Sequence, residues 1–220
     1  MNPTAPAATA HPIQAVIWDF GGVITTSPFD EFARYEREHG LPADFLRQVN
    51  ATNHLDNAWA RLERSEIDLA AFDAAFAAET AALGHAVPGR EVIALLSGSI
   101  RPAMVQALRV LRARLKIGLI TNNVVSPEAQ QHGGGGRHEV IALFHQVIES
   151  ANVGLRKPDP AIYRMMCGAL GVAPSACVFL DDLGVNLKPA REMGMVTIKV
   201  GDPDAALRQL ESLVGFALRR

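Results

Sequence analysis

A series of short apolar runs, each ending abruptly on a polar residue, constrains the fold of this chain more than any other feature. The first run, Ala15 to Trp18, ends on Asp19 and is followed closely by Gly21 and Gly22. Four later runs have the length and apolar content of buried strands, at residues 117–120, 146–149, 177–180 and 196–200. Helical patterns alternate with the later runs, as parallel crossovers require. The sequence therefore predicts an α/β fold with a doubly wound parallel sheet.

A long block of helical patterns separates the first strand from the second. Apolar residues recur there with a period near 3.6, as in the stripe of Leu69, Phe72, Phe76 and Leu83. Because these helices cannot belong to the sheet, we predict a core of residues 13–27 and 98–220, with a helical cap of residues 28–97 inserted after the first strand. Residues 1–12 contain almost no packing residues and are predicted to form a disordered tail.

Composition and charge exclude several classes of protein. The chain has 220 residues, 49% hydrophobic and 20% charged, so it can bury a substantial core without disulfides. Its 21 basic and 23 acidic residues give a net charge of −2, which offers no attraction for nucleic acid or an anionic membrane. No apolar stretch reaches the roughly 18 residues of a transmembrane helix, and Met1 to Ala10 lacks the basic residues of a signal peptide. We therefore expect a cytoplasmic protein in which Cys167 and Cys177 are small buried side chains.

Polar residues follow three of the predicted strands at the edge where an open parallel sheet binds ligands. They are Asp19, the pair Thr121-Asn122 and the pair Asp181-Asp182, and a cation, Lys157, precedes a predicted helix. Clustered carboxylates repel one another unless a divalent cation neutralises them or one of them is protonated. Oxygen ligands of this kind suit Mg²⁺, which usually binds together with a substrate phosphate.

These elements, in this order, resemble the haloacid dehalogenase superfamily. The matching motifs are Asp19-Phe-Gly-Gly-Val23, Thr121-Asn122, Lys157-Pro-Asp-Pro160 and Phe179-Leu-Asp-Asp182. The longer segments 148–163 and 178–198 are most similar to the amino-terminal phosphatase domains of soluble epoxide hydrolases. The resemblance implies a Rossmann-like core with a helical cap, and a hydrolase that cleaves a small phosphorylated molecule.

The resemblance also implies a role for each polar residue. Asp19 would be the nucleophile, which attacks phosphorus to give an aspartyl-phosphate that water then hydrolyses. Mg²⁺ would be held by Asp19, by Asp182 and by the backbone carbonyl of Gly21. Asp181 and Asn186 would orient the water ligands of the metal. The substrate phosphate would be bound by four residues, namely Gly22, Thr121, Asn122 and Lys157, and Lys157 would also offset the charge of the transferring group.

One position departs from the family pattern. Two residues after the nucleophile the family usually has a second Asp, which protonates the leaving group and activates the water, whereas this chain has Gly21. The backbone carbonyl survives this change, but the proton donor does not. General acid–base catalysis contributes about 10²–10⁴-fold to a rate. We therefore predict a slow phosphatase, limited to substrates with good leaving groups such as aryl, acyl or anomeric sugar phosphates.

Other activities remain open at this point. A metal-independent 2-haloacid dehalogenase also lacks the second Asp, since halide needs no proton, although such enzymes usually lack paired acids like Asp181-Asp182. Phosphonate cleavage normally uses an amine in the cap, and there is no Lys between Gly22 and Leu115. A phosphate-binding relative without catalytic activity is the third alternative. Epoxide hydrolysis is not expected, because the sequence has no G-x-S-x-G motif.

Two further segments are candidates for contact with a substrate. In the cap these are Asn53, His54, Trp59 and Arg61, of which Trp59 is more typical of a packing residue. The four-glycine stretch 131–138 is typical of a flexible linker, although its basic residues His132, Arg137 and His138 could bind an anion or a metal. The sequence is compatible with a monomer or a homodimer and does not identify the substrate.

Overall fold

Five parallel strands form one sheet in the order β3-β2-β1-β4-β5. The computed structural model describes residues 12–96, 98–123 and 136–219. The strands are β1 (Ala15–Trp18), β2 (Lys116–Thr121), β3 (Gln146–Glu149), β4 (Cys177–Asp181) and β5 (Val196–Lys199). Each connection between neighbouring strands passes through helical or irregular segments, as parallel pairing requires. The predicted α/β fold with a Rossmann-like doubly wound sheet is confirmed, whereas residues 1–11 of the predicted tail lie outside the described residues.

The helices fall into two groups along the chain. The first group, which we call the cap helices, lies between β1 and β2 and comprises α1 (Phe29–Glu38), α2 (Phe45–Ala51), α3 (Ala58–Glu63), α4 (Leu69–Ala82) and α5 (Gly89–Ala94). The core helices are α6 (Pro102–Arg112), α7 (Gly136–Ile141), α8 (Ser150–Val153), α9 (Pro160–Leu170), α10 (Gly184–Glu192) and α11 (Pro203–Val214). Within the described ranges, no helix is both long enough and apolar enough to span a bilayer.

The sheet is covered on both faces, which explains why its strands read as continuous apolar runs. Side chains of β1 alternate between two hydrophobic clusters: Val16 and Trp18 pack on one face, Ala15 and Ile17 on the other. Helices α6 and α11 cover the first face and helices α9 and α10 the second. Cys167 and Cys177 are buried in the second cluster with free thiols, as expected.

The cap helices have a hydrophobic cluster of their own. All of its buried members lie between Phe32 and Ile93, and Trp59 packs edge-on against Phe72 with ring centroids 5.4 Å apart. The chain leaves the core at Thr25 and returns at Ile100, where the two segments run antiparallel and form an isolated bridge. This paired connection attaches the cap at the carboxyl-terminal edge of the sheet.

Candidate active site

The register of the sheet brings two acidic residues to the same edge. Trp18 pairs with Leu180, so that Asp19 and Asp181 follow at equivalent positions of the neighbouring strands β1 and β4. Lys157, in the loop before α9, lies between them: its Nζ is 2.7 Å from Asp19 Oδ1 and 2.8 Å from Asp181 Oδ2. The ammonium is 1% exposed. The structure thus assembles three of the predicted site residues into one buried ionic cluster.

Donors of the protein surround the Asp181 carboxylate. Its Oδ1 accepts hydrogen bonds from Leu183 N at 2.8 Å and from Asn186 Nδ2 at 3.0 Å. Its Oδ2 accepts from Lys157 Nζ and, at 3.1 Å, from Asn186 Nδ2. Asn186 lies in the first turn of α10, directly after the strand end. With both oxygens engaged, Asp181 is suited to orient its neighbours rather than to bind a ligand directly.

The carboxylate of Asp182 lies directly against Gly22 of the loop after β1. Gly22 has a φ of +72°, and a Cβ at this position would lie 2.1 Å from Asp182 Oδ2. The loop therefore requires glycine both for its left-handed backbone and for space. Ligand oxygens of Asp19, Asp181 and Asp182 all lie within 4.8 Å of one another.

The electrostatics of this cluster favour a bound cation. Burial raises the pKa of Asp19 to about 8, with Asp181 and Asp182 adding to the rise and Lys157 opposing it. Burial and the neighbouring Asp181 raise the pKa of Asp182 to about 6. Although burial lowers the pKa of Lys157, the adjacent carboxylates of Asp181 and Asp19 raise it further. One ammonium does not neutralise the charge of three carboxylates. A divalent cation bound beside them would balance the remaining negative charge.

The available oxygen atoms fit such an ion. Within the part of the chain that the structure describes, Asp19 Oδ2 accepts no hydrogen bond, and the Asp182 carboxylate accepts none from another residue. Hard oxygen ligands of this kind suit Mg²⁺. Asp19 and Asp182 can therefore hold a divalent cation while Asp181 keeps its hydrogen bonds.

Gly21 has room for a larger residue. Its φ lies outside the left-handed region, and a Cβ there would have no atom within 4 Å. Packing therefore does not require glycine at the position where the family pattern has its second Asp.

The end of β2 places Thr121 in the cavity lining and Asn122 beside Lys157. Asn122 Oδ1 accepts from Lys157 N at 2.9 Å, and Asn122 Nδ2 donates to Lys157 O at 3.0 Å and to Glu63 Oε2 at 3.1 Å. The amide is thus committed to protein contacts, and it holds the backbone of Lys157. Sequence reasoning missed Glu63, because a carboxylate at the end of a short helix gives no local signal that it is buried.

A cavity of about 2240 Å³ opens between this edge of the sheet and the cap. The core side is lined by seven predicted site residues: Asp19, Gly21, Thr121, Asn122, Lys157, Asp182 and Asn186. Of the four candidate cap residues, His54 and Trp59 line the cavity, whereas Asn53 and Arg61 are not among the described residues that line it. The cap wall combines charged and polar residues with four aromatic ones, Phe29, Phe32, Trp59 and Phe72. Phe32 and Phe72 are almost fully buried, whereas Phe29 and Trp59 are partly exposed.

The end of the glycine-rich stretch also borders the cavity. Gly136, Arg137 and His138 form the first turn of α7 and line the cavity, so the linker prediction is wrong for these three residues. The guanidinium carbon of Arg137 lies 4.2 Å from the ring centroid of Phe20, next to the nucleophile position, and burial lowers the pKa of Arg137. The glycine content of the stretch obscured this helix start. His132 lies outside the described residues.

Comparisons with known proteins agree with one another. The sequence model of a hydrolase family described as haloacid dehalogenase-like hydrolase matches residues 13–194. The chain is 34% identical over 228 residues to bifunctional epoxide hydrolase 2 of Sus scrofa, covering 94% of this chain and 40% of that protein. It is 33% identical over 118 residues to a phosphatase of Mycobacterium tuberculosis, covering 51% of this chain and 52% of that protein. The chain therefore spans about half, or less, of the length of these relatives.

A solved structure shows the same fold. A haloacid dehalogenase family enzyme of Bacteroides thetaiotaomicron, in complex with magnesium and inorganic phosphate, superimposes with a TM-score of 0.58 at 19% identity. The alignment covers 86% of this chain and 96% of that protein. At this level of identity, the similarity concerns the arrangement of the helices and strands.

Proposed function

Because the chain belongs to the haloacid dehalogenase-like hydrolase family, we propose that it is a Mg²⁺-dependent phosphatase of small phosphate monoesters. The observation that carries the proposal is the buried cluster of Asp19, Lys157, Asp181 and Asp182 at the mouth of the cavity. Each member would have a role in phosphoryl transfer: a carboxylate would attack, a cation would offset charge, and two acids would lie beside the attacking group.

Asp19 would act as the nucleophile. Two donors, Lys157 Nζ and the backbone N–H of Phe20, hold its Oδ1 at 2.7 Å each, which fixes the carboxylate in one orientation. A bond then forms between a carboxylate oxygen and phosphorus, and the bond from phosphorus to the leaving oxygen breaks. Water cleaves the resulting aspartyl-phosphate in a second step.

The proposed metal site consists of Asp19, Asp182 and the backbone carbonyl of Gly21. Bound Mg²⁺ would supply the positive charge that keeps Asp19 ionised and binds phosphate oxygens. Asp181 and Asn186, which are hydrogen-bonded to each other, would orient the water ligands of the metal. Gly22, Thr121 and Lys157 remain the proposed contacts of the phosphate. Asn122 would contribute through its backbone, since its side-chain amide is engaged with Lys157 and Glu63.

The missing acid limits the substrates. Gly21 cannot protonate a departing oxygen, so leaving groups that are stable as anions are favoured. Of the aromatic residues on the cap side of the cavity, Phe29 and Trp59 are partly exposed and would pack against an aryl leaving group. We propose that aryl and acyl phosphates are cleaved faster than alkyl phosphates.

A phosphate-release assay tests the proposal. The purified chain is incubated with p-nitrophenyl phosphate, acetyl phosphate or glycerol phosphate in the presence of Mg²⁺ or EDTA. We expect release from the first two substrates with Mg²⁺, none with EDTA, and none from an Asp19→Asn variant. Phosphate release that is unaffected by EDTA would contradict the metal assignment, and equal rates for alkyl and aryl esters would contradict the leaving-group argument.

A 2-haloacid dehalogenase is the second candidate, and Gly21 is the observation that favours it, because halide leaves without a proton. In that reaction Asp19 would attack carbon, and no metal would be needed. Halide release from 2-chloropropionate in EDTA would support this function. A chain that binds inorganic phosphate but releases neither product would be a phosphate-binding relative without catalytic activity.

A further inference from the structure

A buried carboxylate on the cap, Glu63, connects the cap to the loop that carries Lys157. Glu63 is the last residue of α3, and its side chain is 8% exposed. Its Oε2 accepts hydrogen bonds from Arg156 Nε at 2.6 Å and from Asn122 Nδ2 at 3.1 Å. A buried carboxylate is stable when an opposite charge and further donors satisfy its oxygens, and Glu63 has both.

The same groups make further contacts between cap and core. Glu63 Oε1 accepts a hydrogen bond from Trp59 Nε1 at 3.0 Å, within the cap. Arg156 Nη1 donates to the carbonyl oxygen of His54 at 2.7 Å, so this guanidinium of the core contacts the cap at two places. We call Glu63, Trp59, Asn122 and Arg156 the Glu63 cluster. It is a specific polar attachment of the cap at the cavity.

The Glu63 cluster reaches the nucleophile through Asn122. The Asn122 amide bonds both the N–H and the carbonyl oxygen of Lys157, at 2.9 and 3.0 Å, and Glu63 is its third partner. Glu63 therefore fixes the orientation of the amide that holds this backbone. Because Lys157 Nζ lies 2.7 Å from Asp19 Oδ1, a shift of the backbone would move the ammonium away from the nucleophile.

We infer that Glu63 is a positioning residue for the reaction, an inference that rests on the proposed phosphatase function. Its carboxylate has two effects when the cap is in place: it orients Asn122, and it neutralises Arg156, which lines the same cavity. Without it, Arg156 carries an uncompensated charge beside the phosphate site and can hold a phosphate dianion away from Asp19.

The test compares Glu63→Gln with a matched change at Glu79. Glu79 also lies in the cap, and its Oε1 accepts from Ala58 N at 2.7 Å at the start of α3. Among the residues that the structure describes, Glu79 makes no hydrogen bond or ion pair with the core. For p-nitrophenyl phosphate with Mg²⁺, we expect Glu63→Gln to lower kcat by about 10–100-fold, the usual effect of removing a group that orients functional residues. KM is expected to stay constant or fall, because Arg156 then attracts phosphate. Glu79→Gln should leave kcat close to that of the wild type.

Two further measurements separate positioning from a general loss of structure. In the double variant Glu63→Gln/Arg156→Gln, the loss of kcat should be smaller than the product of the two single losses, since both changes remove one interaction. Trp59 donates to Glu63 and is one of two tryptophans, so its fluorescence emission, isolated by subtracting the spectrum of Trp59→Phe, should shift in Glu63→Gln and not in Glu79→Gln.

Thermal unfolding establishes that each variant is folded at the assay temperature. If Glu63→Gln does not fold, kcat is measured instead for Arg156→Gln, which removes the other partner of the Glu63–Arg156 ion pair. A kcat of the Glu63 variant equal to that of Glu79→Gln, or a raised KM at unchanged kcat, would overturn the positioning role. Absence of phosphate release by the wild type with every ester would instead overturn the proposed function.

Discussion

Gly22→Ala should weaken metal binding strongly. Its only substantial effect on the free energy of unfolding should come from backbone strain. The position has a φ of +72°, and an L-residue in this region costs about 1–2 kcal/mol. The new methyl group would also lie 2.1 Å from Asp182 Oδ2. Since non-bonded atoms touch at about 3.5 Å, the carboxylate must retreat by more than about 1 Å. Rotation of one flexible side chain relieves this contact, so the effect falls on the position of Asp182 and not on the fold.

Gly40→Ala is the matched control for this change. Gly40 has a φ of +65°, and a Cβ there would have no atom within 4 Å, so the variant has the same backbone strain without the contact. Both variants should lose about 1–2 kcal/mol of unfolding free energy. For a chain of this length, each kcal/mol lowers Tm by about 2–4 °C.

The two variants should differ in Mg²⁺ affinity, measured by calorimetric titration and by the Mg²⁺ concentration that gives half-maximal phosphate release. Removing a residue that is hydrogen-bonded to a metal ligand lowers metal affinity by about 10–100-fold. Displacement of Asp182 itself should therefore cost at least as much, whereas Gly40→Ala should bind Mg²⁺ like the wild type. If Gly22→Ala and Gly40→Ala bind Mg²⁺ equally well, Asp182 is not a metal ligand and the argument from this loop is wrong.

Three further changes test other parts of the site. Gly21→Asp should raise the turnover of glycerol phosphate relative to p-nitrophenyl phosphate by up to the 10²–10⁴-fold that an acid–base group contributes. A Cβ at this position has no atom within 4 Å, and the ratio of the two rates is the measurement. Asp19→Asn should abolish phosphate release. In EDTA, the Asp19→Asn variant should also have a higher Tm than the wild type, with the largest difference at pH 8–9 and the smallest near pH 4. Because the pKa of Asp19 is raised to about 8 in the folded state, the metal-free wild type loses stability as the pH rises from about 4 to 8. Thermal denaturation of both proteins across that pH range is the measurement. Lys157→Met should lower Tm more at pH 9 than at pH 6 in EDTA, because the ionised form of Asp19, which predominates above its pKa of about 8, then lacks the ammonium that stabilises it.

The sheet and the acidic edge could be predicted because their signals are local. Buried parallel strands appear as uninterrupted apolar runs, and the run 177–180 differs from β4 only by the inclusion of Asp181. The polar residues that end such runs must meet at one edge, since parallel strands share the direction of their carboxyl ends. Asp19 and Asp181 are together for that reason, although they are far apart in the sequence. Lys157 reaches them from the loop before α9.

The contacts of the cap could not be predicted in this way. Glu63 is 93 residues from Arg156 and 59 from Asn122, and no periodicity or motif of α3 indicates such partners. The hydrogen bonds of the Asn122 side chain with Lys157 also depend on the loop conformation, whereas a phosphate contact of Asn122 stays a prediction. The helix start at Gly136 was not predicted, because the four glycines before Arg137 are typical of linkers. In the structure, the guanidinium of Arg137 packs over the ring of Phe20.

The burial of Asp19 also bears on which of the two candidate reactions the site can perform near neutral pH. Burial raises the pKa of the Asp19 carboxyl to about 8, which favours its protonated form at pH 7, whereas the nucleophile in either reaction must be ionised. The rate of a metal-free dehalogenase would therefore rise with pH until Asp19 is ionised. A divalent cation beside Asp19 and Asp182 favours the charged form of both groups and removes this restriction. The same burial that makes the acidic cluster unfavourable on its own therefore supports a cation-dependent phosphatase over metal-free halide displacement.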